Sequence, residues 1–209
     1  MSKADRDQGA AWESALEYYR SRGGVLFISY CRFWERHGFV QQSLAQRLAR
    51  HGVEVAWFDG SDWRPYRPVV VEPNTKLLVS QLPAVPLRRF SAFDRLDAQA
   101  KSAFLKRYIK KMGGNPVIWV QAGVDESVAA ELPYIDVFSV FDDPYRHGPS
   151  SNLVRKARVI VCQNQTARDV LMPEHAAKLH VLRPPIDMMD SSLGGAADVF
   201  LPAGFPSQV

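Results

Sequence analysis

The chain has 209 residues, enough for one large domain, and 46% of them are hydrophobic, which excludes a wholly disordered protein. Its formal net charge of +4 suits an anionic partner such as a membrane surface or a phosphate, and equally an ordinary enzyme, because Asp and Glu occur throughout. The opening "MSKADRDQGAAWESALEYYRSRGG" has no apolar signal-peptide core, and no apolar run reaches the roughly 18 residues of a membrane span; a cytoplasmic protein, at most peripheral on the membrane's inner face, is expected.

Helix-forming residues from Ala10 to Arg22, stopped by Gly23-Gly24, predict a short amphipathic helix. "VLFISY" (Val25 to Tyr30) is a β-branched and aromatic run, as in a buried parallel strand. Apolar residues at helical spacing predict a helix from Phe39 to Arg50 ending at Gly52, and "VEVAWFD" a second strand. Residues Ser61 to Pro73 read as a loop leading to a short strand "VVVE", followed by the strand "KLLVSQLP" (Lys76 to Pro83). A helix from about Ser91 to Met112, closed by Gly113-Gly114, precedes the strand "PVIWVQ" and a short helix over Asp125 to Leu132. "IDVFSVFDD" (Ile135 to Asp143) is a strand running into paired aspartates. A helical segment around Asn152 to Ala157, the strand "RVIVCQ", a helix near Thr166 to Met172 and the strand "LHVLRPP" complete the pattern, and the residues after Asp187 read as linker or tail.

Strands alternating with helices predict an α/β domain with an open, mostly parallel sheet and helices on both faces. Ligands of such sheets sit at the carboxyl ends of the strands, near the topological switch point. Here that places a site in the loops after Tyr30, Gln121, Phe141 and Gln163. The first of these, "YCRFWERHG", lacks the glycines with which a backbone wraps a phosphate.

Two family resemblances follow from these blocks. "LFISY…FVQQSLAQRLARHGVEVAWFDG" resembles the start of a TIR domain, over residues 25 to 62 and no further; the W-C-x-x-E run of TIR enzymes is missing. The second resemblance extends from Val25 to Asp187, to the N-terminal, acceptor-side half of a GT-B glycosyltransferase of the group-1 (family 4-like) retaining class. "PNTKLLVSQLPAVPLRRFSAFDRLDAQAKSAFLKRYIKKMGGNPVIWVQAG" is similar to that half's middle section, and "IDVFSVFDDPYRH" to the strand and acidic turn at its acceptor cleft. "LVRKARVIVCQNQTARDVL" resembles the next strand, and "KLHVLRPPID" the segment that closes the first domain. Departures are Arg158 where the family usually has Asp, Gln163-Asn164 where it usually has Ser, and "RPPID" in place of an Asn-Gly turn.

The resemblance implies a helical extension over 1–24, a Rossmann-like GT-B N-terminal domain over 25–187, and a linker over 188–209 toward a second domain. That second domain binds the nucleotide-sugar in the family, with an E-x7-E element not found in this sequence. The expected partners are therefore a donor-binding domain, on another chain or missing from this one, and a polysaccharide or lipid-linked sugar acceptor. The alternatives are a non-catalytic sugar- or partner-binding module and, more distantly, a TIR-like NAD hydrolase or adaptor.

Asp142 and Asp143 follow a buried strand at the ligand end of the sheet, where carboxylates could contact acceptor hydroxyls or move a proton; Asp before Pro also commonly starts a turn. His147 is the matching acid or base candidate, or a solvated loop histidine. Arg32, Trp34, Arg36 and His37 offer a stacking ring between bidentate cations, as a sugar beside a phosphate would need, and Gly38 a close approach at a helix start. The plain alternative is a packed Trp with exposed arginines. Arg88, Arg89, Lys106, Arg107, Lys110 and Lys111 belong to a segment with eight Lys or Arg against two Asp, interleaved with aromatics. Such a helix can lie on anionic lipid, or pack its apolar side on the sheet with a basic rim outside. Cys31 and Cys162 lie far apart with no metal-ligand spacing, and no Walker A, G-x-G-x-x-G, H-E-x-x-H or G-x-S-x-G pattern occurs, so neither metal nor cofactor is expected. Nucleic-acid binding would need a denser basic face than this sequence offers.

Overall fold

The computed structural model describes residues 3–30, 32–33, 40–62, 69–71, 74–85, 93–124, 126–140, 151–162 and 176–181. The helix expected near Thr166 to Met172 and the tail after Asp187 lie outside them. In chain order the elements are α1 (Lys3–Ser21), β1 (Val25–Ser29), α2 (Val40–Arg50), β2 (Val55–Asp62), β3 (Val69–Val70), β4 (Leu77–Pro83) and α3 (Asp94–Lys111). There follow β5 (Val117–Gln121), α4 (Glu126–Ala130), β6 (Ile135–Val140), α5 (Ser151–Lys156), β7 (Ala157–Cys162), a 3-10 turn (Ala176–Lys178) and β8 (Leu179–Val181).

The strands form one sheet in the order β3-β4-β2-β1-β5-β6-β7-β8. Every neighbouring pair is parallel except β3 with β4, which is antiparallel at the edge. Without that edge strand, the order is the doubly wound one, in which the chain builds outward from β1, then crosses back to start again on β1's other side. The expected α/β, Rossmann-like class is what the chain adopts.

Both faces of the inner strands are buried, which is why they read as continuous apolar runs. Val25 and Phe27 of β1, Val55 and Trp57 of β2, Val117 and Trp119 of β5, Val137 of β6, and Val159 and Val161 of β7 face α1 and α2. Their neighbours Leu26, Ile28, Ala56, Phe58, Ile118, Val120, Phe138 and Ile160 face α3, α4 and α5. Helix α1 docks through Trp12, Ala15, Leu16 and Tyr19, the i, i+3, i+4, i+7 spacing of one helical face. It begins earlier than the sequence reading, and its stripe closes the same core as β1.

One difference from expectation concerns β2. Strand β2 does not stop at Asp59: its register shifts between Phe58 and Ser61, and Ser61 and Asp62 then pair with Leu82 and Pro83. A bulge of this kind lets a strand continue through Gly60 while re-aiming its end. Several basic residues are used internally. Lys178 donates to the carbonyls of Val154 and Arg155 at the end of α5 and of Ala157 at the start of β7, and Lys156 to that of Ala130 at the end of α4. Each places a cation on carbonyls that a helix terminus leaves without partners. Arg22 bridges Asp136 at 3.2 Å and the Tyr18 hydroxyl at 2.7 Å, tying the end of α1 to β6.

Burial pushes the Tyr19 hydroxyl well above its ordinary range, aided by Tyr18 and Asp136, and pushes Tyr108 up to about 12. In the unfolded chain both ionise near 10.0, so above that pH the unfolded state has released protons that the folded state still holds. Stability is therefore complete below pH 10 and falls as pH rises further. Denaturant midpoints at pH 9, 10 and 11 check this; a midpoint constant through that range would contradict it.

Candidate functional site

The switch point lies between β1 and β5, because the chain leaves β1 toward β2 on one side and returns from β4 to β5 on the other. On the face under α1 and α2, the layers stacked along these strands change character at their carboxyl ends. The layer of Phe27, Trp57 and Trp119 is aromatic, with ring centroids 5.3 and 5.4 Å apart. The next layer on the same face is polar: Asp59 on β2, Ser29 on β1, Gln121 on β5 and Ser139 on β6. Ser29 pairs in register with Asp59, and Gln121 with Ser139. All four are at least 95% buried.

A row of polar side chains inside a core is costly unless hydrogen-bonded, so each atom has to be accounted for. The Ser29 hydroxyl donates to Gln121 Oε1 at 2.5 Å. Ser139 Oγ accepts from Trp119 Nε1 at 2.9 Å and from Gln41 Nε2 at 3.0 Å. Gln41 comes from the first turn of α2, which lies over the row. Asp59 accepts the Phe33 backbone N–H at 2.7 Å. Gln42 Nε2 donates to the Phe33 carbonyl at 2.7 Å and to that of Arg32 at 3.2 Å. The Phe33 ring packs edge-on against Trp57, with centroids 5.3 Å apart.

These contacts explain the bulky first loop. Its start is pinned by side chains, Asp59 on its amide, Gln42 on its carbonyls and Trp57 on its ring. A glycine-rich phosphate loop does the reverse, baring its backbone amides to a ligand. On the other face, the Tyr30 ring lies so close to Gly123 that a Cβ there would come within 2.7 Å of Tyr30 Cδ1. The loops after β1 and β5 therefore touch at the switch point.

Two buried atoms of the row find no hydrogen-bond partner among the described residues: Gln41 Oε1 and Gln121 Nε2. One is an acceptor and the other a donor.

Of the residues singled out from sequence, Arg32 is exposed beside the pinned Phe33, and its carbonyl belongs to the Gln42 contact. Trp34, Arg36, His37, Gly38, Asp142, Asp143, His147, Arg88 and Arg89 lie outside the described residues. Along α3, Lys106, Arg107, Lys110 and Lys111 are exposed. Lys106 stands 3.6 Å from Glu131, and Lys111 lies over the Tyr108 ring at 5.6 Å. The helix's apolar side does not face outward: Leu105 and Ile109 are buried, and Phe104 and Tyr108 meet Phe58 edge-on. What α3 presents to the outside is mainly charge. No described helix is long and apolar enough to cross a membrane.

Sequence reasoning pointed to the carboxyl ends of these strands and did not single out the row: Ser29, Gln41, Gln42, Asp59, Gln121 and Ser139. A signal was present. The runs V-L-F-I-S, V-A-W-F-D, V-I-W-V-Q and V-F-S each end with a polar residue in phase with one buried face. Among the described residues, no group of three or more His, Cys, Asp or Glu could hold a metal ion. Compared with known proteins, the chain matches no family model, and no curated protein matches it significantly.

Proposed function

We propose that this chain is the acceptor-side half of a GT-B-type glycosyltransferase, working with a nucleotide-sugar-binding domain supplied elsewhere. The observation that supports it is the switch point of a doubly wound sheet furnished with amides and hydroxyls, Gln41, Ser29, Gln121 and Ser139, beside a first loop whose sequence lacks phosphate-wrapping glycines. Side chains of this kind match the alternating donors and acceptors of a sugar, whereas a nucleotide diphosphate calls for bared amides and cations. The assignment to glycosyl transfer comes from the sequence resemblance between Val25 and Asp187, since a fold of this class hosts many chemistries. In this reading the chain holds the acceptor, and the donor's diphosphate is bound by the other domain.

Calorimetric titration with UDP, GDP and NAD tests it. No heat with any of the three is expected. Binding of UDP or GDP would place a donor site within these 209 residues and end the half-enzyme reading. Binding of NAD would turn the assignment toward the TIR-like alternative.

A further inference from the structure

We infer that Gln41 and Gln121 form the recognition point for a neutral hydroxyl group of a bound ligand, the hydroxyl donating to Gln41 Oε1 and accepting from Gln121 Nε2. This deepens the acceptor reading and rests on it only in taking the ligand to be a sugar.

The two amides are held from behind. Gln121 is fixed by Ser29 through its oxygen, and Gln41 by Ser139 through its nitrogen, so each is oriented and each keeps one polar atom unused. Ser139 cannot supply the missing bonds. Its hydroxyl accepts from Trp119 and Gln41 and donates its single proton toward the Val120 carbonyl at 3.4 Å. The amides are neighbours as well, because Ser139, which holds Gln41, is the register partner of Gln121 on the adjacent strand. Gln41 is 2% exposed and Gln121 3%. Leaving a donor and an acceptor unmade at that depth is costly, and a bound partner would recover that cost.

The chemistry of that partner follows from the pair. A hydroxyl carries both a proton to give and lone pairs to receive, so one such group has the chemistry that both atoms need. A fully ionised carboxylate or phosphate oxygen has no proton for Gln41 Oε1, and Asp59 already stands in the same row. An ammonium has no lone pair for Gln121 Nε2. A neutral polyol is selected over an anion or a cation.

The test is ligand-observed NMR on the intact chain. The probes are methyl α-glucoside, methyl α-mannoside and myo-inositol, set against inorganic phosphate and glucuronate. Two altered proteins accompany it. Ser29→Ala/Gln121→Met removes both ends of one internal bond together with the unused donor. Gln41→Met removes the unused acceptor and leaves Ser139 bonded to Trp119. The expected result is binding of at least one neutral polyol in preference to either anion, weakened about tenfold or more in both variants. Absence of binding by all three polyols, preference for phosphate or glucuronate, or equal binding by the variants would each overturn the inference. The nucleotide titration above is a separate measurement, so the half-enzyme reading can fail while this one stands, and the reverse.

Discussion

Gly24→Ala is expected to leave almost no folded protein. Gly24 has φ +113°, a region that only glycine occupies without strain, and a Cβ there would lie 2.1 Å from the Glu54 carbonyl oxygen. Neither partner can retreat. The same Glu54 carbonyl accepts the Val25 N–H at 2.8 Å, and the Gly24 carbonyl accepts the Val117 N–H at 2.9 Å. Gly24 N–H itself closes α1 on the Tyr19 carbonyl at 2.8 Å. The residue is thus clamped between β2 and β5 at the entrance to the central strand, and any shift opens the sheet at its middle. A loss of about 4 kcal/mol or more is expected, comparable with the whole stability of many domains. Gly52→Ala is the control: its φ is +80°, yet no neighbouring atom lies within 4 Å of the added carbon, so only the backbone strain of about 1–2 kcal/mol applies. Urea unfolding of the two variants decides the matter; equal losses would mean that the clash at Gly24 is relieved by some movement the hydrogen bonds do not suggest.

The sequence was most legible where one physical rule dominated. Buried parallel strands have to be apolar on both sides, so "VLFIS", "VIWVQ" and "IDVFSV" could hardly be anything else. Trp12, Ala15, Leu16 and Tyr19 announced the buried face of α1 by their spacing alone. Legibility ended where two rules compete. At Gly60 the propensity rule ends a strand, but β4 offers unpaired backbone groups beyond it, and pairing through a bulge wins. Ser29, Gln121 and Ser139 carry ordinary loop residue types, and nothing in one strand says that three other strands place polar residues in the same layer. That alignment is set by register between segments far apart in the chain, as is the arrival of Gln41 from α2. Lys156 and Lys178 illustrate the same limit, since a lysine capping a neighbouring helix cannot be told from a surface lysine until the helix is in place.

Helix α3 supplies the second large effect: it wears most of its charges outside but buries one pair. Asp97 and Lys101, one turn apart, form an ion pair whose side chains are only 6% and 5% exposed. The other carboxylate oxygen of Asp97 accepts the Val85 N–H at 2.6 Å, where the chain leaves the carboxyl end of β4. Removing one member of such a pair leaves a charge buried without compensation, which typically costs about 3–5 kcal/mol. Asp97→Ala should reach that range, because it strands both the Lys101 ammonium and the Val85 amide. Lys101→Met should cost less, about 2 kcal/mol, since the carboxyl group keeps its backbone donor and methionine fills the space of the lysine stem. The double substitution Asp97→Asn/Lys101→Met removes both charges, retains an oxygen for Val85, and should return to within about 1 kcal/mol of the original. Lys106→Ala, which breaks the exposed contact with Glu131, should change stability by less than about 0.5 kcal/mol. Thermal or urea unfolding of the four proteins gives the ranking. If Asp97→Ala were no worse than Lys106→Ala, the pair would be solvated, and the start of α3 would lose its role in fixing the exit of β4.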